Sequence, residues 1–292
     1  MQFCYIWGAM TDARPQDLIW TLYGEFLLHR AGPVWVGSLI RLLKPLGVSE
    51  AHTRTLLSRM TSKGWLEVSR VGRRAYYTLS ARGQRLLEEG EARIYRPERA
   101  SAWDGEWTLL AYSIPEELRP LRDRLRVRLS WLGFGSLGNG LWISPHDVRD
   151  QVREIGAALG VTEHLQLFRG RYDGHTSAES LALQCWDLPA LNVRYESFIA
   201  RHLPNYRDLA SAGTAELAPR DAYVRRFSLV HEYRQFALLD PFLPRPLQTS
   251  DWAGECAQAL FQAYHALLSE PADRFLSKAV ETLDPKQRVS AH

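Results

Sequence analysis

With 292 residues, 46% of them hydrophobic and 24% charged, the chain has the composition of an ordinary globular protein of about two or three domains. Cys4, Cys185 and Cys256 form no CxxC pair, and no apolar run approaches the ~20 residues of a membrane-spanning helix, so the sequence predicts a cytoplasmic protein without disulfides, structural zinc or membrane anchor. The net charge of +3 is unevenly spread: residues 12–99 carry 15 Lys and Arg against 9 Asp and Glu, and that basic third suits a polyanionic partner such as nucleic acid.

A first domain is expected over residues 14–95. After Pro15, which suits a first helical turn, Leu18, Ile19, Leu22, Tyr23 and Phe26 fall on one stripe of a helix. Residues 33–37 are extended, and Ser38 is expected to open a short helix over 39–43 that ends before Pro45 and Gly47. Ser49 is a good N-cap for a third helix over 50–63, whose Thr53, Leu56, Leu57 and Met60 make an inward face, and Gly64 stops it. Residues 65–70 and 75–79, rich in aromatic and β-branched side chains, form a strand pair around the basic tip Gly72-Arg73-Arg74. Three helices followed by such a hairpin read as a winged helix–turn–helix. Ser80 then caps a charged helix over 81–95, and 96–99 marks a boundary.

Residues 103–175 carry a different pattern. Strand 106–113, helix 115–132, a hairpin of 135–137 and 141–144 about Asn139-Gly140, helix 147–159 and strand 164–171 follow in the order β-α-β-β-α-β. That order is the ferredoxin-like arrangement. Residues 177–284 read as a helical C-terminal domain with helices at 193–201, 221–239, 252–268 and 273–282, divided by proline-bearing turns, and 285–292 as a frayed end. The expected fold class is α+β.

The candidate functional residues lie on the third helix and the hairpin. Arg54, Thr55, Ser58 and Arg59 lie opposite or beside the apolar stripe, with His52 one turn earlier. Arginine pairs bidentately with a guanine edge, and hydroxyls serve bases or phosphates. A solvated face of an amphipathic helix is the bland alternative. Arg70, Arg73 and Arg74 tip the balance: three cations gathered at a hairpin tip have no core to support, whereas a phosphate or minor-groove contact is natural there. A duplex-DNA partner follows.

The runs Trp35-Val36-Gly37-Ser38-Leu39-Ile40-Arg41-Leu42-Leu43, Gly64-Trp65-Leu66, Gly72-Arg73-Arg74-Ala75-Tyr76-Tyr77, Trp131-Leu132-Gly133-Phe134-Gly135, Leu229-Val230-His231-Glu232-Tyr233-Arg234 and Leu239-Asp240-Pro241 resemble the PaaX-type repressors of phenylacetate degradation. The resemblance implies a dimeric repressor with a winged-helix domain, a Cas2-like middle domain and a helical C-terminal domain, released from its operator by an aryl-coenzyme A thioester such as phenylacetyl-CoA. Metal-dependent Cas2 relatives place an aspartate at the end of the first strand. Leu110-Ala111-Tyr112-Ser113 offers no carboxylate there, so neither a metal nor nuclease activity is expected.

An acyl-CoA site should join arginines to an apolar pocket. Arg122 and Arg126 on the middle-domain helix are one candidate pair, and Arg225, Arg226, His231, Tyr233 and Arg234 are the other set, each with a plain solvated-face or core alternative. His231 and Glu232 are adjacent and point ~100° apart on a helix, so they make no metal site alone. An enzyme acting on CoA thioesters is the main rival function, but no GxSxG elbow, P-loop or GxGxxG is present. An RNA-binding adaptor is weaker, since the aromatic RNP pattern is missing. No cofactor is expected.

Overall fold

The computed structural model describes residues 15–95 and 103–283. The predicted boundary at 96–99 and the predicted frayed end at 285–292 lie outside the described residues. Helices and two antiparallel sheets make an α+β chain. It divides into two compact units, neither continuous in sequence: residues 15–95, 198–234 and 256–283 form one, and 103–197 with 235–255 form the other.

In the first unit, helix α1 (Pro15–Leu22) runs on through a π-helical turn at Tyr23–Leu27, and Ile19, Leu22, Tyr23 and Phe26 are buried as their spacing requires. The short strand β1 (Val34–Trp35) leads directly into α2 (Val36–Leu43). Here the sequence reading is corrected: Trp35 occupies the N-cap, and Ser38 is a fully buried residue inside the helix.

Helix α3 (Glu50–Ser62) begins as expected, with the Ser49 hydroxyl accepting the His52 N–H at 3.2 Å. It ends in a Schellman closure. Gly64, at φ +69°, lets the Trp65 N–H donate to the Met60 carbonyl at 3.0 Å and its own N–H to Thr61 at 2.9 Å.

Strands β2 (Leu66–Val71) and β3 (Arg74–Leu79) pair from Leu66 opposite Leu79 to Val71 opposite Arg74, leaving Gly72 and Arg73 as a two-residue tip. β1 completes the sheet against β3, with Trp35 opposite Tyr76. The Ser80 hydroxyl then caps α4 (Ala81–Tyr95) by accepting the Gly83 N–H, and itself donates to the Gly64 carbonyl at 2.8 Å. One serine thus starts a helix and ties it to the end of another.

The second unit holds β4 (Glu106–Tyr112), α5 (Arg119–Trp131), β5 (Gly135–Gly138), β6 (Leu141–Ser144), α6 (Arg149–Leu159) and β7 (Leu165–Arg171). The strand order is β5-β6-β4-β7, all antiparallel. Asn139 and Gly140 turn the β5–β6 hairpin with positive φ of 50° and 79°, the backbone such tight turns demand. Leu110, Trp142, Leu125, Leu129, Val152 and Ile155 form one core between the sheet and α5 and α6. On the opposite face Trp107 and Ile143 pack with Leu181, Leu188, Leu243 and Leu247.

The helical remainder departs from the sequence reading in detail. Helix α7 (Ala178–Cys185) has no counterpart among the predicted helices, and α8 (Leu188–Ala212) extends well beyond 193–201. The predicted helix over 221–239 is divided into α9 (Pro219–Tyr233) and α10 (Phe236–Leu239). The predicted helices 252–268 and 273–282 are one helix, α11 (Gly254–Ala279), which passes through Pro271. Loss of one intrahelical N–H bond is outweighed there by burial of Leu268, Ala272, Leu276 and Ala279 along a single stripe.

Candidate nucleic-acid interface

Helix α3 is two-faced. Thr53, Leu56, Leu57 and Met60 are buried, whereas His52, Arg54, Thr55, Ser58 and Arg59 are all exposed. The buried face explains the exposed one: four inward side chains at helical spacing fix the helix rotation, so the residues between them point outward. Arg70, Arg73 and Arg74 are also exposed on the β2–β3 hairpin.

The cations differ in their commitments. Arg54 donates to the Glu50 carboxylate at 2.8 and 3.0 Å, an exposed i,i+4 pair worth about 0.5 kcal/mol or less and readily opened. Arg74 lies over the Trp35 ring and 3.3 Å from Glu281. Arg59, Arg70 and Arg73 have no acidic partner among the described residues. Thr55 turns its hydroxyl back to the Ala51 carbonyl at 3.0 Å, leaving its oxygen lone pairs outward as acceptors. Three guanidinium groups on a surface helix and hairpin, those of Arg59, Arg70 and Arg73, are thus exposed without an acidic partner among the described residues.

The residues weighed for a small-molecule effector fall in three situations. Arg225 is exposed on α9. Arg226 and Arg234 are turned inward: Arg226 faces Glu25 at 2.5 Å and Asp273 at 3.1 Å, and Arg234, with its side chain 6% exposed, lies 3.8 Å from Asp17. Burial pulls Arg234 down to about 10, with Asp17 opposing. Tyr233 is buried with its ring stacked 3.9 Å from Phe261.

His231 Nδ1 is 2.8 Å from the Thr21 hydroxyl, which also lies 3.1 Å from the Asp17 carbonyl. Burial, helped by the charge of Arg234, lowers this imidazole to about 4. In the other unit, Arg122 is held by Glu116 at 2.8 Å, and Arg126 is exposed without an acidic partner among the described residues. No group of three or more His, Cys, Asp or Glu suited to a metal ion occurs among the described residues.

Sequence reasoning passes over Glu25 and Glu281 and gives Ser38 a different role, that of a helix opener. Glu25 left one trace, a carboxylate inside the apolar run Tyr23–Leu28, and Ser38 left another, a hydroxyl on a buried helical face. Glu281 left none, because its partners lie more than 200 residues away.

Comparison with known proteins adds three domain matches: residues 14–83 fit the profile of PaaX-like proteins, 100–182 the PaaX protein central Cas2-like domain, and 186–278 the PaaX-like protein C-terminal domain. The transcriptional repressor PaaX of Escherichia coli is 38% identical over 269 residues, covering 91% of this chain and 84% of that protein. Among solved structures, the uncharacterized protein Rv0674 of Mycobacterium tuberculosis matches 88% of this chain and 96% of its own, at 25% identity and a TM-score of 0.55.

Proposed function

The chain belongs to the PaaX family of transcriptional repressors, and from that premise we propose that it represses by gripping duplex DNA with a winged helix–turn–helix built from α1 to α3 and the β2–β3 hairpin. It is a regulator rather than an enzyme. In this reading α3 lies in the major groove, where Arg54 and Arg59 address guanine edges and His52, Thr55 and Ser58 address bases or phosphates. Arg70, Arg73 and Arg74 hold the backbone or the adjacent minor groove. The observation that carries the proposal is the division of α3, five polar residues exposed and four others buried, next to a hairpin whose arginines all face outward.

The strand order β5-β6-β4-β7 under two helices supports a ferredoxin-like, Cas2-like middle domain at 103–175, between the winged helix at 14–95 and the helical segment at 177–284. The operon served is an aromatic catabolic one of the phenylacetate type, the protein acts in the cytoplasm as a homodimer on paired half-sites, and an aryl-CoA thioester such as phenylacetyl-CoA releases it. For the thioester phosphates, Arg225 is the exposed arginine of the set on α9; reaching Arg226 or Arg234 requires displacing Glu25 or Asp17.

Selection from a randomised duplex pool supplies a recognition sequence on which to test this. Arg54→Ala and Arg59→Ala should each weaken binding by about 1–3 kcal/mol and relax the preference at one base pair. Arg73→Ala should weaken all duplexes alike and flatten the salt dependence by about 0.9 in log–log slope. Unchanged affinity in all three variants would place the DNA face elsewhere.

A further inference from the structure

Ser38 puts a hydroxyl in the middle of the apolar helix α2, where it is fully buried. A buried hydroxyl needs a partner, and this one accepts the backbone N–H of Glu281 at 2.9 Å. Around that anchor the chain after α11 runs antiparallel to β1. The Trp35 N–H donates to the Glu281 carbonyl at 2.9 Å, the Leu283 N–H donates to the Pro33 carbonyl at 2.9 Å, and Val34 is bridged to Thr282. Arg41 adds another tie, donating to the carbonyl of Ala279, the last residue of α11, at 3.0 Å. The backbone of Glu281 is thus fixed independently of its side chain.

That side chain reaches two guanidinium groups, Arg74 at 3.3 Å and Arg41 at 3.7 Å. We propose that Glu281 is a built-in competitor for DNA phosphate, holding Arg74 of the hairpin in an internal ion pair that a bound duplex must replace. The inference rests on the reading of the β2–β3 hairpin as a DNA contact. Of the hairpin arginines, Arg70 and Arg73 have no acidic partner among the described residues, whereas Arg74 has one delivered from the far end of the chain.

An exposed ion pair normally gains little, because ordering two long side chains offsets the attraction. Here the glutamate's backbone is already anchored by strand pairing, so less freedom is lost on pairing. When a phosphate takes Arg74, the displaced carboxylate stays close by and repels it. The competitor also hangs on the strand that continues α11, so its strength depends on that strand remaining paired with β1.

The test measures binding of a fluorescein-labelled, mixed-sequence duplex of about three helical turns by anisotropy over a salt series. It compares wild type, Glu281→Gln, Arg74→Ala and the double variant. Glutamine keeps the backbone N–H for Ser38 and the strand pairing. Glu281→Gln should bind about threefold tighter at low salt, with a log–log salt slope steeper by about 0.9, the contribution of one released arginine. In the Arg74→Ala background the same change should gain nothing. Equal or weaker binding by Glu281→Gln, or a gain that persists without Arg74, overturns the competitor role while leaving the DNA reading intact. A wild-type protein with no salt-dependent duplex binding would instead remove the DNA reading on which the inference stands.

Discussion

Replacing Glu25 by glutamine removes one charge where four helical segments of the first unit meet. The carboxylate, with its side chain 2% exposed, accepts from Arg226 of α9 at 2.5 Å, faces His265 of α11 at 2.8 Å, and accepts the hydroxyl of Tyr95 at the end of α4. Burial pushes its carboxyl up, but the hydrogen bond with His265 and the charge of Arg226 outweigh that and leave it below the ordinary glutamate range. Breaking a buried pair from one side costs about 3–5 kcal/mol, because the remaining charge stays desolvated. Arg226 keeps Asp273, whose 58% exposed carboxylate gives back up to ~1 kcal/mol, so from the middle of that range the expected loss is about 3 kcal/mol.

Calorimetric melting reads this directly. At about 2–4 °C per kcal/mol for a unit of this size, the transition containing α1, α9 and α11 should fall by about 6–12 °C at neutral pH. The pH dependence follows from the sign of the shift. A carboxyl depressed in the folded state contributes stability that is present above its unfolded pKa and is lost as pH falls through the folded one. Wild type and Glu25→Gln should therefore converge on strong acidification. A drop below about 2 °C at neutral pH, or a difference that survives acidification, would refute the reasoning.

Two further expectations concern stability. His231 is held down to about 4, so between its unfolded value of about 6.5 and that point the unfolded chain binds a proton the folded chain refuses, and stability declines as pH falls by up to ~1.4 kcal/mol per unit; urea midpoints at about pH 7 and 4.5 should separate less in His231→Gln than in wild type. Gly83 faces the Trp65 carbonyl so closely that an added Cβ would lie 2.5 Å from that oxygen, so Gly83→Ala should cost about 1–3 kcal/mol in chemical unfolding by forcing α4 off the end of α3.

Distance along the chain decides which features of this protein are legible in its sequence. The Ser49 and Ser80 caps, the Gly64 closure and the Asn139-Gly140 turn were legible because each is a bond between groups a few residues apart, written in the residue types themselves. The outward face of α3 was legible for a related reason: the inward stripe Thr53, Leu56, Leu57 and Met60 sets the rotation of the helix. Ser38 is ambiguous in sequence because a serine before an apolar run is as good an N-cap by rule as it is a buried acceptor, and only the arrival of Glu281 distinguishes the two. Pro271 reads as a helix boundary in sequence because its cost is local, whereas the burial that outweighs it is not.

Sequence alone determined the class of the chain, the basic hairpin, the polar face of α3 and the family, since periodicity, turn chemistry and charge are properties of neighbours. Tertiary structure decided which arginines remain available. Arg226 and Arg234 belong to the same basic, aromatic stretch as Arg225, yet they are turned toward Glu25 and Asp17, residues 201 and more positions away. A buried charge is stable only beside its counter-charge, and when that partner comes from the opposite end of the chain, folding has to bring the two together before either can be assigned a role.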